Sequence, residues 1–137
     1  MQEYFLSEER ISIAGEAAKE YNLEARTFQF ALNTRNFIKK IQKTLTNTEY
    51  CKQLARSSAS VGANYIEANE SLSNKDFYYR IKVCKKESKE SKFFLRLLDI
   101  ENDKQLTLDQ SSLIQESHEF VLIFSAILKK EKLEQNS

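Results

Sequence analysis

The chain has 137 residues, with 21 Lys and Arg against 20 Asp and Glu for a net charge of +1. That length supports one hydrophobic core, and that balance obliges neither a nucleic-acid nor a membrane partner. With no proline, only Gly15 and Gly62 as glycines and a single histidine, His118, phosphate-binding loops, turn-rich β-barrels and most zinc or histidine-based catalytic sets are excluded.

Residues 1–22 carry five carboxylates against two basic side chains and are weakly patterned. They are expected to form an N-terminal arm, with at most a short helix over Glu8 to Glu20. No basic stretch followed by an apolar run marks a leader. The longest unbroken apolar cluster, Phe120 to Phe124, is too short to span a membrane. The reading is a soluble, cytoplasmic protein without a membrane partner.

The first helix is predicted over Leu23 to Leu45, with an inner row of Phe30, Thr34, Phe37, Ile41 and Leu45 stepping by three and four. Thr46-x-x-Glu49 reads as a capping box for a second helix to Glu70, whose inner row is Cys51, Leu54, Ser58, Val61, Tyr65 and Ala68, with Leu72 just beyond. Ser73-x-x-Asp76 caps a third helix carrying Phe77, Ile81, Cys84, Ser88, Ser91, Leu95 and Leu98. After a polar connection from Asp99 to Leu106, Thr107-x-x-Gln110 caps a fourth, with Leu113, Ser117, Phe120, Phe124 and Ile127 inward and a charged tail from Lys129 expected to fray. Four amphipathic helices joined by short loops close most simply as an all-α, antiparallel up-down four-helix bundle. The bundle is placed at residues 23–133, with residues 134–137 as its tail.

Both cysteines fall on apolar rows. Cys51 lies 21 residues before the turn near Leu72 and Cys84 lies 12 after it. The resulting axial offset of about 13 Å exceeds the roughly 7 Å that a disulfide spans, so reduced, buried thiols are expected.

Three features stand apart from the core rows. Gly62, in mid-helix at a cost of about 1 kcal/mol, belongs with Ala55, Ala59 and Ile66 to a second, small-residue row that suits either a neighbouring helix or a subunit contact. Arg56, Ser60, Asn64 and Glu67 form a polar stripe, which is either a solvated face or an interfacial hydrogen-bond set. Helix three has eight basic residues against three acidic ones, and Lys82, Lys85, Lys86, Lys89 and Lys92 form its candidate phosphate-binding face. Helix one is also basic, with five basic residues against Glu24.

Catalysis finds no support. A di-iron bundle needs Glu-x-x-His on two helices, whereas the chain has one histidine and Gln115 three residues before it. A nucleophilic thiol needs exposure and a base, and both cysteines sit on core rows. Neither a catalytic set, a metal, a cofactor nor a small-molecule substrate is expected.

The runs Thr27-Phe28-Gln29-Phe30-Ala31, Gln53-Leu54-Ala55-Arg56-Ser57 and Ser60-Val61-Gly62-Ala63-Asn64-Tyr65-Ile66-Glu67-Ala68 resemble the bacterial four helix bundle protein family, also called the 23S rRNA intervening-sequence protein family. The similarity continues through Asp76-Phe77, Lys86-Glu87-Ser88-Lys89-Glu90-Ser91 and Phe94-Leu95-Arg96-Leu97-Leu98. The resemblance implies a left-handed bundle assembling into a homopentamer. It also implies, as partners beyond further copies of the chain, RNA, DNA or a nucleic-acid enzyme such as a reverse transcriptase. Arg56, Gly62, Asn64 and Glu67 lie within the matched runs and become the candidate oligomer or polar-network residues. The leading expectation is a non-enzymatic homo-oligomeric scaffold or adaptor, and the alternative is a nucleic-acid-binding accessory protein.

Overall fold

The apolar rows become four helices in the computed structural model, which describes residues 22–136. They are α1 (Leu23–Ile38), α2 (Leu45–Asn69), α3 (Asn74–Leu97) and α4 (Lys104–Asn136), and no strand occurs among the described residues. The expected arm helix over Glu8 to Glu20 lies outside them. Successive helices pack on one another, and α4 closes on α1 through a narrower seam. Each helix returns along the one before it. Asn69, ending α2, donates to Glu24 in the first turn of α1 at 3.0 Å, and Tyr78 near the start of α3 donates to Glu134 near the end of α4 at 3.2 Å.

The inner rows meet along the axis. Phe30 stands edge-on to Phe120 with centroids 5.4 Å apart, and Tyr65 faces Phe124 at 6.3 Å. Leu54, Val61, Ile81, Cys84 and Leu95 are completely buried around them, each large apolar side chain contributing about 1.5–3 kcal/mol. Small hydroxyls fill the tightest places. Ser57, Ser88, Ser91 and Ser117 are fully buried; Ser88 donates to the Cys84 carbonyl at 2.8 Å and Ser91 donates to Ser57 at 3.0 Å. Thr34 is the exception, its buried hydroxyl having no partner among the described residues.

Several helix ends differ from the sequence expectation. α1 stops at Ile38 instead of reaching Leu45. Lys40 and Ile41 then bond back three residues, to Phe37 and Ile38, and this tightening folds Ile41 under the core. Leu45 is consequently exposed, as is Leu72 at the opposite end, where no neighbouring helix extends far enough to cover it. The cap of α2 is Thr44, whose Oγ1 accepts from the Asn47 amide at 3.1 Å, rather than Thr46. Ser73 caps α3 as expected, accepting from the Asp76 amide at 3.1 Å.

α4 starts three residues before Thr107, at Lys104. Asp103 accepts from the Leu106 amide at 2.9 Å, and the helix continues to Asn136 without fraying at Lys129. Gln110, expected to cap α4, serves α3 instead. Its amide donates to the Leu95 and Leu98 carbonyls at 2.7 and 3.1 Å, satisfying acceptors that a helix end leaves open.

Asn47 joins both loops at this end of the bundle. Its Nδ2 donates to the Gln42 carbonyl (3.1 Å) and to the Asp99 carbonyl (2.8 Å), while its Oδ1 accepts from the Asp99 amide (3.0 Å). The side chain is only 1% exposed, so water cannot replace these bonds. Asn47→Ala is expected to lower stability by about 2–3 kcal/mol in urea unfolding, with an unchanged m-value. A loss below about 0.5 kcal/mol would show the clasp to be dispensable.

Candidate functional site

The polar stripe of α2 turns toward α3 of the same chain. Arg56 reaches Glu87 at 3.1 Å and Glu90 at 2.7 Å. The Glu87 side chain is 8% exposed, while the Arg56 side chain remains about half exposed, so the pair is shielded on the Glu87 side only. Burial works against the Arg56 charge, but the hydrogen bonds and charges of Glu87 and Glu90 outweigh it and hold the guanidinium above its usual value. About two turns further along, Arg80 of α3 donates to Asn64 at 3.0 Å, and Asn64 donates to the Ser60 carbonyl at 2.9 Å. Glu67 stays exposed, with no ion-pair partner among the described residues. Arg56 and Asn64 are thus brought together along one seam with α3, and Glu67 is not.

Gly62 answers to a helix of its own chain. A β-carbon there would meet Thr27 Oγ1 at 3.0 Å and Thr27 Cβ at 3.3 Å. Thr27 is fully buried and its hydroxyl donates to the Leu23 carbonyl at 2.7 Å, so it has little room to yield. The rest of the small-residue row faces outward: Ala55 and Ala59 line a trough of about 420 Å³ between α1 and α2, and Ile66 is exposed.

The lysine face of α3 is partly neutralised. Lys82 lies 3.6 Å from Glu131 of α4, Lys86 lies 3.6 Å from Glu90, and Lys92 Nζ lies 3.1 Å from His118 Nδ1. The imidazole accepts that last contact in its Nε2–H tautomer. Lys85 and Lys89 have no such partner among the described residues. With Lys82 and Lys86 they border a shallow depression of about 570 Å³ beside Leu128.

Sequence reasoning missed the ionic centre of the α1–α4 seam. Arg26 holds Glu116 through two bonds of 2.8 Å and Glu119 through a third of 2.8 Å, with its guanidinium 5.2 Å above the Phe120 ring. The only local signal was an arginine one turn before the core residue Phe30; its carboxylates lie some 90 residues away.

Among the described residues no group of three His, Cys, Asp or Glu side chains could hold a metal ion, and no helix is long and apolar enough to cross a membrane. Both cysteines are free. Cys84 is fully buried and Cys51, expected to be buried as well, is half-buried because the turn after Ile38 leaves its flank open. Burial pushes the Cys51 thiol up and the Cys84 thiol far above the ordinary cysteine range.

The arrangement is that of a helical bundle whose polar groups bind its own helices together and whose variety lies on its outer faces. The chain belongs to the 23S rRNA-intervening sequence protein family, whose model matches residues 19–119. Among solved structures it is similar to a protein of unknown function from the S23 ribosomal protein family of Bacteroides thetaiotaomicron. That likeness has a TM-score of 0.66 at 24% identity, covering 79% of this chain and 99% of the other. No curated protein matches the chain.

The thiols give a direct test of the burial described above. At pH 8, a disulfide-exchange reagent is expected to react with Cys51 of the native protein well before Cys84, and with both together after unfolding in urea. The native rate should rise with pH, because only the thiolate attacks. Cys84 reacting as fast as Cys51 in the native protein would contradict this packing.

Proposed function

We propose that the chain is a non-enzymatic, cytoplasmic scaffold or adaptor that assembles into a homo-oligomer, the pentamer implied by its family resemblance. One observation carries the reading. The outer rows of α3 and α4, where a solitary bundle would be polar, carry large apolar side chains: Tyr79, Phe93 and Leu97 are 60%, 56% and 41% exposed, and Leu108, Leu122 and Leu133 are 64%, 53% and 68% exposed. Within each row the residues are separated by nearly whole helical turns and so share a face. Apolar faces of this kind are the usual material of protein interfaces. The subunit contact is therefore assigned to α3 and α4. Arg56 and Asn64 support it by fixing the α2–α3 seam, and Gly62 by fixing α1 against α2.

Light scattering at micromolar concentration is expected to give a mass that is a multiple of the 16.0 kDa chain, five-fold for the pentamer. Phe93→Glu combined with Leu122→Glu should reduce it to one chain while leaving helicity intact. A wild-type mass of one chain would overturn the assembly.

A second reading rests on the depression among Lys82, Lys85, Lys86 and Lys89, which suits the phosphate backbone of RNA or DNA. A ring would repeat it once per subunit and raise a weak contact by avidity. Affinity for a generic RNA single strand should fall linearly with salt on logarithmic axes, with a slope of about −0.7 per phosphate contacted. Lys85→Glu with Lys89→Glu should weaken binding about tenfold or more, and Lys82→Glu, whose lysine already meets Glu131, should weaken it less. Absence of binding at low salt would dispose of this reading.

A further inference from the structure

We infer that the trough between α1 and α2 is the seat of the chain's own N-terminal arm, residues 1–21. The floor of the trough is apolar, built from Phe28, Ala31 and Leu32 of α1 and Ala55 and Ala59 of α2. A second depression of about 300 Å³ continues it past Ile38, Ile41 and Cys51. Together they extend about 15 Å along α1 from Phe28 to Ile38 and on past the turn that follows it. Phe28 is 67% exposed at the mouth, an apolar surface with nothing from the bundle lying over it.

Charge selects the occupant. Arg35, Lys39 and Lys43 border the trough, together with Lys52, which pairs with Glu49 at 2.9 Å, and no carboxylate lines either part of it. Arg35 bonds only to the neighbouring Asn36, and Lys39 and Lys43 have no ion-pair partner among the described residues. The arm supplies what is missing. It carries Glu3, Glu8, Glu9, Glu16 and Glu20 against Arg10 and Lys19, together with Phe5, Leu6, Ile11 and Ile13 to cover the floor. It joins the bundle at Asn22, six residues before Phe28. Even fully helical, 21 residues span about 30 Å, enough to double back along the trough, and tethering raises the local concentration to the millimolar range.

Most of the arm also lies outside the region matched by the family model. The family model begins at residue 19, and the Bacteroides protein is matched over 99% of its length by 79% of this chain. The inference stands independently of self-assembly, since the trough and the arm belong to one chain and the apolar rows of α3 and α4 take no part.

The test uses the full-length protein with the photo-crosslinker benzoylphenylalanine in place of Phe28, mixed with isotope-labelled wild-type chains, and maps the products by mass spectrometry. Crosslinks to residues 1–21 of the same polypeptide are expected to dominate, at least about fivefold over the same probe replacing the fully exposed Leu72. Arg35→Glu with Lys39→Glu should remove most of that excess, and Glu8→Lys with Glu9→Lys in the same chain should restore part of it. Crosslinks chiefly to a labelled second chain, at its arm or its bundle, would overturn the inference. So would a yield no greater than that of the Leu72 control. Circular dichroism confirms that each variant remains folded.

Discussion

How closely α2 can approach its neighbours decides the rest of this structure. At Gly62 the helix backbone lies against Thr27 with no space for a β-carbon, and at Ser57 a hydroxyl meets Ser91 of α3 at 3.0 Å. Between these contacts Cys84 Sγ sits 3.5 Å from the Val61 carbonyl. Such spacing requires side chains of one or two heavy atoms beyond Cα. Serine meets the requirement without a buried orphan, because its hydroxyl can return to a carbonyl three or four residues back, as Ser57 does to Leu54 and Ser88 to Cys84. Long side chains are driven to the margins of the interface. There Arg56 finds Glu87 and Glu90, and Arg80 finds Asn64. The polar stripe of α2 is thus a consequence of close packing, lying where charged groups can keep part of their hydration while pairing across the seam.

The α1–α4 seam is built on the opposite plan. Nothing as small as the Gly62 or Ser57 contacts draws these helices together; Phe30 and Phe120 hold them apart at ring distance, and Arg26 bridges what remains to Glu116 and Glu119. A crevice of about 680 Å³, lined mainly by polar groups such as Gln29, Asn33, Ser112 and Gln115, stays open beside that bridge. The α2–α3 side of the bundle is closed mainly by shape, with ion pairs at its margin, and the α1–α4 side by aromatic rings and the Arg26 bridge.

Much of the fold was legible because helical periodicity is local. Phe30, Leu54, Val61, Tyr65, Ile81, Cys84, Leu95, Phe120 and Phe124 stand in the inner rows of the sequence and are all fully buried or nearly so. The errors gather at the ends of helices, where an apolar residue in phase still needs a neighbour long enough to cover it; Leu45 and Leu72 have none. Caps were misplaced where two candidates stood close together. Thr44 prevails over Thr46, since starting α2 there sets Asn47 against Gln42 and Asp99. The assignment depends on a residue 52 positions away, which no local motif records. For Gly62 the sequence raised both a neighbouring helix and a second subunit, and Thr27 supplies the first.

The electrostatic surface shows why a count of charges along a helix misleads. α3 has the largest excess of basic residues, yet its cations stand among Glu87, Glu90 and Glu131: Lys82 engages Glu131 and Lys86 engages Glu90, while Arg56 of α2 engages both Glu87 and Glu90. α1 has the smaller excess, but Lys39, Lys40 and Lys43 lie near its last turn, away from every carboxylate within ion-pair reach among the described residues. Backbone carbonyls at that helix end stabilise these cations only modestly, by tenths of a kcal/mol each. Their field therefore remains directed outward. Cations without an ion-pair partner among the described residues thus lie beside the α1–α2 trough as well as on α3, where the longest run of lysines stands. The number of charges on a helix gives the capacity to attract an anion, and the carboxylates brought alongside by folding determine how much of it remains.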